Sequence, residues 1–370
     1  VVFQFVIAQA LIISTLVIIK QMDYFRQSPM GFAKDAIITV PLPNDTSRVG
    51  KLDYLRDRLT AIKGVRQLSF SNMPPASDDN WWTNFRFNHA AKETDFTAIT
   101  KWVDGNYLAT YELRLVAGRD MTKTDSVREF LVNETLVKKL GFARPEDVLN
   151  KEINVWDGFA KGPVVGVVKD FHPSSLKSQV EPVFMSNVKN IYGAIGIKLA
   201  TTDLPSAVSA IEKVWDEIFP DYVFEYQFLD DKIDSFYKHE AQLSGLYQLF
   251  AAVAIFLSCL GLYGLASFMA VQRVKEVGIR KVLGASVASI MYMFSREFVM
   301  MVAIAFAIAS PVAWYFMQRW LENFVYHTDI KGWQFLVGGS AAILIALATV
   351  SFHAVKAAVS NPIKNLRATE

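Results

Sequence analysis

The sequence predicts a membrane α-helical protein: four transmembrane helices, with a large mixed α/β extracytoplasmic domain inserted between the first and second spans. Three observations predict it. Four charge-poor apolar blocks run from Val1 to Ile19, Ala241 to Val271, Phe298 to Met317 and Trp333 to Val355. A bilayer core of about 30 Å needs roughly 20 apolar helical residues, so each block can span it. One polar stretch, from about Met22 to Glu240, separates the first block from the rest. Basic residues gather in the linker between spans two and three (Arg273, Lys275, Arg280, Lys281, Arg296) and in the tail (Lys356, Lys364, Arg367). By the positive-inside rule that linker and tail are cytoplasmic, and the polar stretch lies outside.

The first block holds Gln4 and Gln9 as its strongly polar residues. It has no charged leader and no A-x-A-like cleavage site, so it reads as a transmembrane helix and not a secretory leader, on a piece of a longer chain. Lys20 to Gln27 stays helix-compatible until Pro29 and Gly31 end it.

In the polar stretch, Lys34 to Leu42 predicts a strand. Asp45 to Ala61 predicts a helix, with Val49, Leu52, Leu55 and Leu59 at helical spacing and Asp45, Thr46 and Ser47 as candidate caps. Val65 to Ser71 and Ala98 to Val103 read as strands, and Pro74 and Pro75 mark a loop between them. A helical piece is expected around Asn106 to Tyr111. Phe130 to Val132 is a strand entering Asn133, which caps a helix stopped at Gly141. Val164 to Val168, Tyr192 to Leu199 and Phe224 to Leu229 predict further strands. A helix from Asp203 to about Phe219 carries Pro205 in its first turn. Alternating strands and helices over about 200 residues imply a mixed α/β domain with two lobes.

The second apolar block is longer than a bilayer requires, and Ile233, Phe236, Tyr237 and Ala241 continue its stripe upstream. A single helix from about Asp230, forming a stalk, and a tilted span after an ordinary loop both fit. Small residues that let helices approach closely recur as Gly338, Ala342 and Ala346 in span four, Ala303, Ala307 and Pro311 in span three, and Ser258, Gly261 and Gly264 in span two.

The chemistry-bearing motifs are few. The sequence has no G-x-x-x-x-G-K-[ST] and no G-x-S-x-G, and His239-Glu240 is not followed by a second zinc-spaced histidine. Asp170 and His172 sit at a strand end before Pro173 and read as a turn. Trp81 and Trp82 fit a stacking platform or a packed pair. Cys259, the one cysteine, falls inside span two and reads as a packing residue. No cofactor or metal is expected. Acidic and basic residues alternate, so no nucleic-acid surface is expected either.

The linker QRVKEVGIRKVLGAS, Gln272 to Ser286, is short, basic and rich in Gly and Val. It fits a contact for a soluble partner, or a flank lying on lipid headgroups. Here the sequence resembles MacB/FtsX-type ABC transporter permeases. The resemblance is carried by RVKEVGIRKVLGAS, by YELRLVAGRDM (Tyr111 to Met121), FLVNETLVKKLGF (Phe130 to Phe142) and VVGVVKDFHPSSL (Val164 to Leu176), and by NPIKNLR (Asn361 to Arg367). The opening is similar to that of the second half of double-length members, so the chain resembles one such unit.

The resemblance implies a transmembrane helix over 1–20, a MacB-like periplasmic core domain over 21–240, and an FtsX-like permease domain over 241–370 with a cytoplasmic coupling segment at 272–297. It implies a multi-pass protein of the bacterial inner membrane that is not itself an enzyme. Its partners would be a cytoplasmic ABC ATPase, a second permease unit (homodimer or tandem half), and a periplasmic adaptor or hydrolase. Lys275, Glu276, Gly278, Ile279, Arg280, Lys281 and Gly284 would form the ATPase-coupling contact. The implied function is mechanotransmission, in which ATP hydrolysis on the partner moves the periplasmic domain to expel or extract a periplasmic substrate. The alternative is a non-transporting regulator that activates a cell-wall hydrolase or binds a signal.

Overall fold

A computed structural model describes residues 1–123, 128–273, 276, 279–280 and 283–359. The chain divides into two compact units, one built from 1–26 with 238–370 and the other from 27–237. In chain order the elements are α1 (Val2–Gln27), β1 (Ile37–Pro41), α2 (Leu52–Thr60), β2 (Val65–Ser71), β3 (Trp81–Thr83), β4 (Arg86–Phe87), β5 (Ala98–Trp102), α3 (Tyr107–Tyr111), β6 (Leu115–Gly118), β7 (Phe130–Asn133), α4 (Glu134–Lys139), β8 (Glu152–Val155), β9 (Ala160–Val168), β10 (Val183–Ser186), β11 (Ala194–Leu199), α5 (Leu204–Ile218), β12 (Gln227–Phe228), α6 (Leu229–Ser235) and α7 (Lys238–Gln272). Two further long helices, here α8 (Val287–Leu321) and α9 (Gly332–Val359), close the described chain.

In the helical unit, Val2–Gln27, Lys238–Met269, Met291–Leu321 and Gly332–Ser351 are long and apolar enough to cross a membrane. Their contacts use small residues. A side chain at Gly338 would meet Ile13 of α1, and one at Gly261 would meet the Gln4 amide. Ala342 and Ala346 of α9 are buried, as expected. On α8 the expectation fails: Ala303, Ala307 and Pro311 face outward, and Ala305, Ala309 and Ala313 are the buried row. Two residues along a helix is a turn of about 200°, so the two alanine rows lie on opposite faces. Composition alone could not choose between them.

The α/β unit holds two sheets. The first has the order β12-β1-β11-β2. Ile38, Val40, Ile195 and Ile197 alternate onto one face and pack with Leu52, Leu55 and Leu59 of α2 and Ile211, Val214 and Trp215 of α5. The second sheet is mixed, in the order β3-β5-β10-β7-β9-β8-β4, with β6 on β9. Its pairs β5–β10 and β7–β9 are parallel. Phe130, Val132, Val164 and Phe184 fill its core with Phe85, Trp102 and Leu136.

Local chemistry sets the helix starts. Asp45 accepts the Ser47 and Arg48 amides at 2.7 and 3.2 Å, but the first turn it caps, Thr46–Lys51, is a 3-10 helix and α2 begins only at Leu52. Asn133 Oδ1 accepts Leu136 N at 3.0 Å and starts α4, and Asp203 Oδ1 accepts Ser206 N at 3.2 Å and starts α5. The strand expected over Phe224 to Leu229 shrinks to Gln227–Phe228, because Phe224 packs on Trp215 and does not enter the ladder.

The single helix from Asp230 is not formed. α6 ends at Ser235 and α7 begins at Lys238. Phe236 and Tyr237 are buried between them, and their polar groups serve the loop at 176–177.

Candidate functional site

The turn between α7 and α8 is shaped by two consecutive capping devices. The Leu283 amide donates to Ile279 O at 3.0 Å, and the Ala285 amide donates to Arg280 O at 2.9 Å. Gly284 between them has φ +89°. This is the Schellman arrangement, in which a left-handed residue lets the chain fold back onto the last helical carbonyls. Two residues on, Ser286 Oγ accepts the Ser289 amide at 3.2 Å and caps α8. One helical turn therefore ends and a long helix begins within Gly284–Ser286.

The turn is held from both sides. Arg273 pairs with Glu297 of α8 at 2.7 Å, and Glu276 pairs with Arg280 one helical turn away at 2.8 Å. An exposed pair of the second kind contributes about 0.3–0.5 kcal/mol, enough to bias the turn but not to hold it alone. Ile279 and Leu283, four residues apart, are 58% and 80% exposed. Arg280, 47% exposed, adds a basic side chain to the same exposed turn. Of the expected coupling residues, Glu276, Ile279, Arg280 and Gly284 fall in this turn, and Lys275, Gly278 and Lys281 lie outside the described residues, as does the Asn361 to Arg367 motif. Leu283 was not anticipated, although its spacing from Ile279 was visible in the sequence.

A second assembly occupies the α/β unit. The loop at 169–177 lies in the VVGVVKDFHPSSL motif and just after it. Asp170 accepts the Thr135 amide and hydroxyl, both at 2.8 Å, and its own amide donates to Glu134 Oε2 at 3.0 Å. The carboxylate is thus spent on the start of α4. The His172 amide donates to Met30 O at 2.8 Å. Gly31, with φ +87°, brings its backbone so close that a Cβ would lie 2.8 Å from Asp170 O. Only glycine fits there.

At the other end of the loop, the Leu176 amide donates to the Tyr237 hydroxyl at 2.9 Å, and Lys177 Nζ donates to Phe236 O at 2.9 Å. Met30–Gly31 follows α1 and Phe236–Tyr237 precedes α7. Both covalent connections of the α/β unit to the helical unit therefore dock on one loop.

The loop is also bolted to its neighbour at 72–80. Pro173 O accepts the Ser77 amide at 3.0 Å and Asn80 Nδ2 at 2.8 Å. Asn80 Oδ1 in turn accepts Lys101 Nζ at 2.8 Å, and Pro74 O accepts the same amine at 2.9 Å. Lys101 is fully buried. Burial holds its amine well below the usual lysine range, helped by the charge of Lys232. Both of these acceptors are neutral, which suits an uncharged amine.

Residues 248–362 match the FtsX-like permease C-terminal family, and that stretch is an FtsX-like permease C-terminal domain. No curated protein matches the chain. Among solved structures, the chain is similar to the periplasmic region of MacB from Actinobacillus actinomycetemcomitans, at 14% identity over 54% of this chain and 91% of that one, with a TM-score of 0.39. It is also similar to the extracellular domain of the noncanonic ABC-type transporter YknZ from Gram-positive bacteria, at 13% identity over 52% and 97%, with a TM-score of 0.36.

Proposed function

We propose that this chain is the permease subunit, or one permease half, of an ABC transporter, and that a cytoplasmic partner ATPase drives movement of its extracytoplasmic α/β unit. The observation that carries this reading is the FtsX-like match, which takes in most of α7, the capped turn and the helices α8 and α9. Lys275, Glu276, Ile279, Arg280 and Lys281, with Leu283 added, are the proposed ATPase contact. Gly278 and Gly284 are proposed to shape it. A second permease unit, as a homodimer or a tandem half, presents the matching contact to a second ATPase.

The chemistry of α1 supports a mechanical role. The buried polar side chains of α1 are Gln9, Ser14, Thr15 and Gln21, none of which takes up or releases a proton. Ion and proton pathways use titratable groups at such depths. A helix transmits displacement without a polar path. The loop at 169–177 is where both connections meet, so it is the proposed point of entry for that displacement into the α/β unit.

The test is purification with the cognate ATPase. Arg280→Glu combined with Lys281→Glu is expected to lower complex formation while membrane insertion stays intact. Unchanged association in a pull-down would remove the docking assignment.

A further inference from the structure

The first sheet has a second face. Ile38, Val40, Ile195 and Ile197 point to the helices, so Thr39, Pro41, Ala194 and Gln227 point the other way. The loop at 72–80 and the edge strand β3 overhang that face. They border a cleft of about 630 Å³ whose lining includes Trp81 and Tyr226. That volume is in the range of small-molecule sites.

The walls are rigid aromatic surfaces. Trp81 is 46% exposed and Tyr226 44%. Tyr226 is stacked on Phe224 at 5.7 Å and 27°, and Phe224 leans on Trp215. Along β3, Thr83 shares the face of Trp81, and Thr83 Oγ1 accepts the Trp156 indole N–H at 2.9 Å. Trp156 lies beside buried Trp102 at 5.6 Å and is not among the residues that line the cleft. Trp156 and Asp157 both hold left-handed backbone, at φ 49° and 53°. That conformation costs roughly 1–2 kcal/mol per residue.

The polar groups are mixed in sign. Asp79 and Glu225 offer carboxylates and Lys232 an amine. Among the described residues Thr39 Oγ1 and Asn72 Nδ2 have no hydrogen-bond partner. Asn72 Oδ1 accepts Trp102 N at 2.9 Å, which fixes the amide and leaves Nδ2 as the free donor. A polyanion would meet two carboxylates here, and a hydrocarbon would strand the polar groups. A pyranose matches both features. Its C–H face stacks on an indole, and its hydroxyls donate to carboxylates and accept from amide and amine.

We propose that this cleft binds an uncharged oligosaccharide segment, with Trp81 as the stacking platform and Asn72, Asp79, Glu225 and Lys232 as hydroxyl partners. The proposal does not depend on ATPase coupling, and its test uses no nucleotide.

The test is calorimetric titration of the full chain in lipid nanodiscs, free of sugar detergents, with the tetrasaccharide of N-acetylglucosamine and with that of glucose. Saturable binding of at least one is expected. Trp81→Ala should weaken it about tenfold or more. Trp82→Ala, on the opposite face of the same strand, should leave it within about twofold, and Glu225→Gln, which removes charge but keeps a hydrogen-bonding group, should weaken it by about threefold or less. Failure of both tetrasaccharides to bind, or binding indifferent to Trp81→Ala, would overturn the proposal. So would selective binding of trilysine that Glu225→Gln abolishes, which would assign the cleft to a cation.

Discussion

The two units tie their elements together with opposite kinds of buried polar group. In the helical unit the buried ties made by α1 are neutral amides. Gln9 Nε2 donates to Val302 O of α8 at 3.2 Å, and Gln21 Nε2 donates to Tyr326 O at 3.0 Å while its Oε1 accepts the Thr328 amide at 2.8 Å. Gln9 joins α1 to α8, and Gln21 joins α1 to the loop between α8 and α9. In the α/β unit the main tie is charged. Asp104, in the turn after β5, accepts Arg56 Nη2 and the Ser69 hydroxyl at 2.5 Å, the Phe70 amide at 2.9 Å and the Asn106 amide at 3.1 Å. It links the second sheet to α2 and β2 of the first.

The difference follows from the surroundings. Inside hydrocarbon a charge is expensive and a neutral side-chain amide bonded to backbone contributes about 1 kcal/mol. In a domain facing water a carboxylate is tolerated in the interior when both its oxygens accept hydrogen bonds and its cation stays partly wet, as Arg56 does.

Breaking the charged tie should have the largest effect. Asp104→Ala strands Arg56, Ser69 and the Phe70 amide, and should lower the stability of the α/β unit by about 3–5 kcal/mol in urea unfolding. Asn80→Ala comes next. It removes the bolt between the two loops and one of the Lys101 acceptors, for about 2–3 kcal/mol, with faster hydrogen exchange at 173–177.

Glu129 sharpens the comparison through pH. Its bidentate pairing with Arg119, the first cause, and the Thr122 amide hold the carboxyl down at about 2, against an ordinary 4.5. Above pH 4.5 the folded and unfolded forms are both ionised and the pairing stabilises fully. As pH falls from 4.5 toward 2 the unfolded form takes a proton that the folded form refuses, and about 2 kcal/mol should be lost. Glu129→Gln should flatten that part of the stability–pH curve.

Gln9→Leu should cost about 1 kcal/mol or less in a membrane unfolding assay. A loss comparable to Asp104→Ala would contradict the contrast between the two units. Gly284→Ala, forced into left-handed backbone, should cost about 1 kcal/mol locally and weaken ATPase association.

Hydropathy made the helical unit legible, because a lipid-spanning helix needs a long charge-free run and little else. It did not reveal which alanine row of α8 is buried. In the α/β unit, elements with a local cap were readable: Asn133 and Asp203 announce α4 and α5. The strands β3, β4, β6, β8 and β10 were not, since two to four residues give too little alternation and their partners are distant in sequence. The second sheet is largely built from such strands. The capped turn between α7 and α8 was legible as a basic Gly-containing motif. The junction loop was legible only as a family-like string, because its role depends on Met30, Gly31, Phe236 and Tyr237, which lie far from it along the chain.

The central claim is that displacement enters at the capped turn on one side of the membrane and is delivered to the α/β unit on the other. The direct measurement replaces Cys259 and introduces single cysteines at Ala285 and at exposed Lys92, then applies a membrane-impermeant maleimide to intact cells. The account predicts labelling at position 92 and protection at 285 until the membrane is opened. Equal labelling of both positions on intact cells would contradict it.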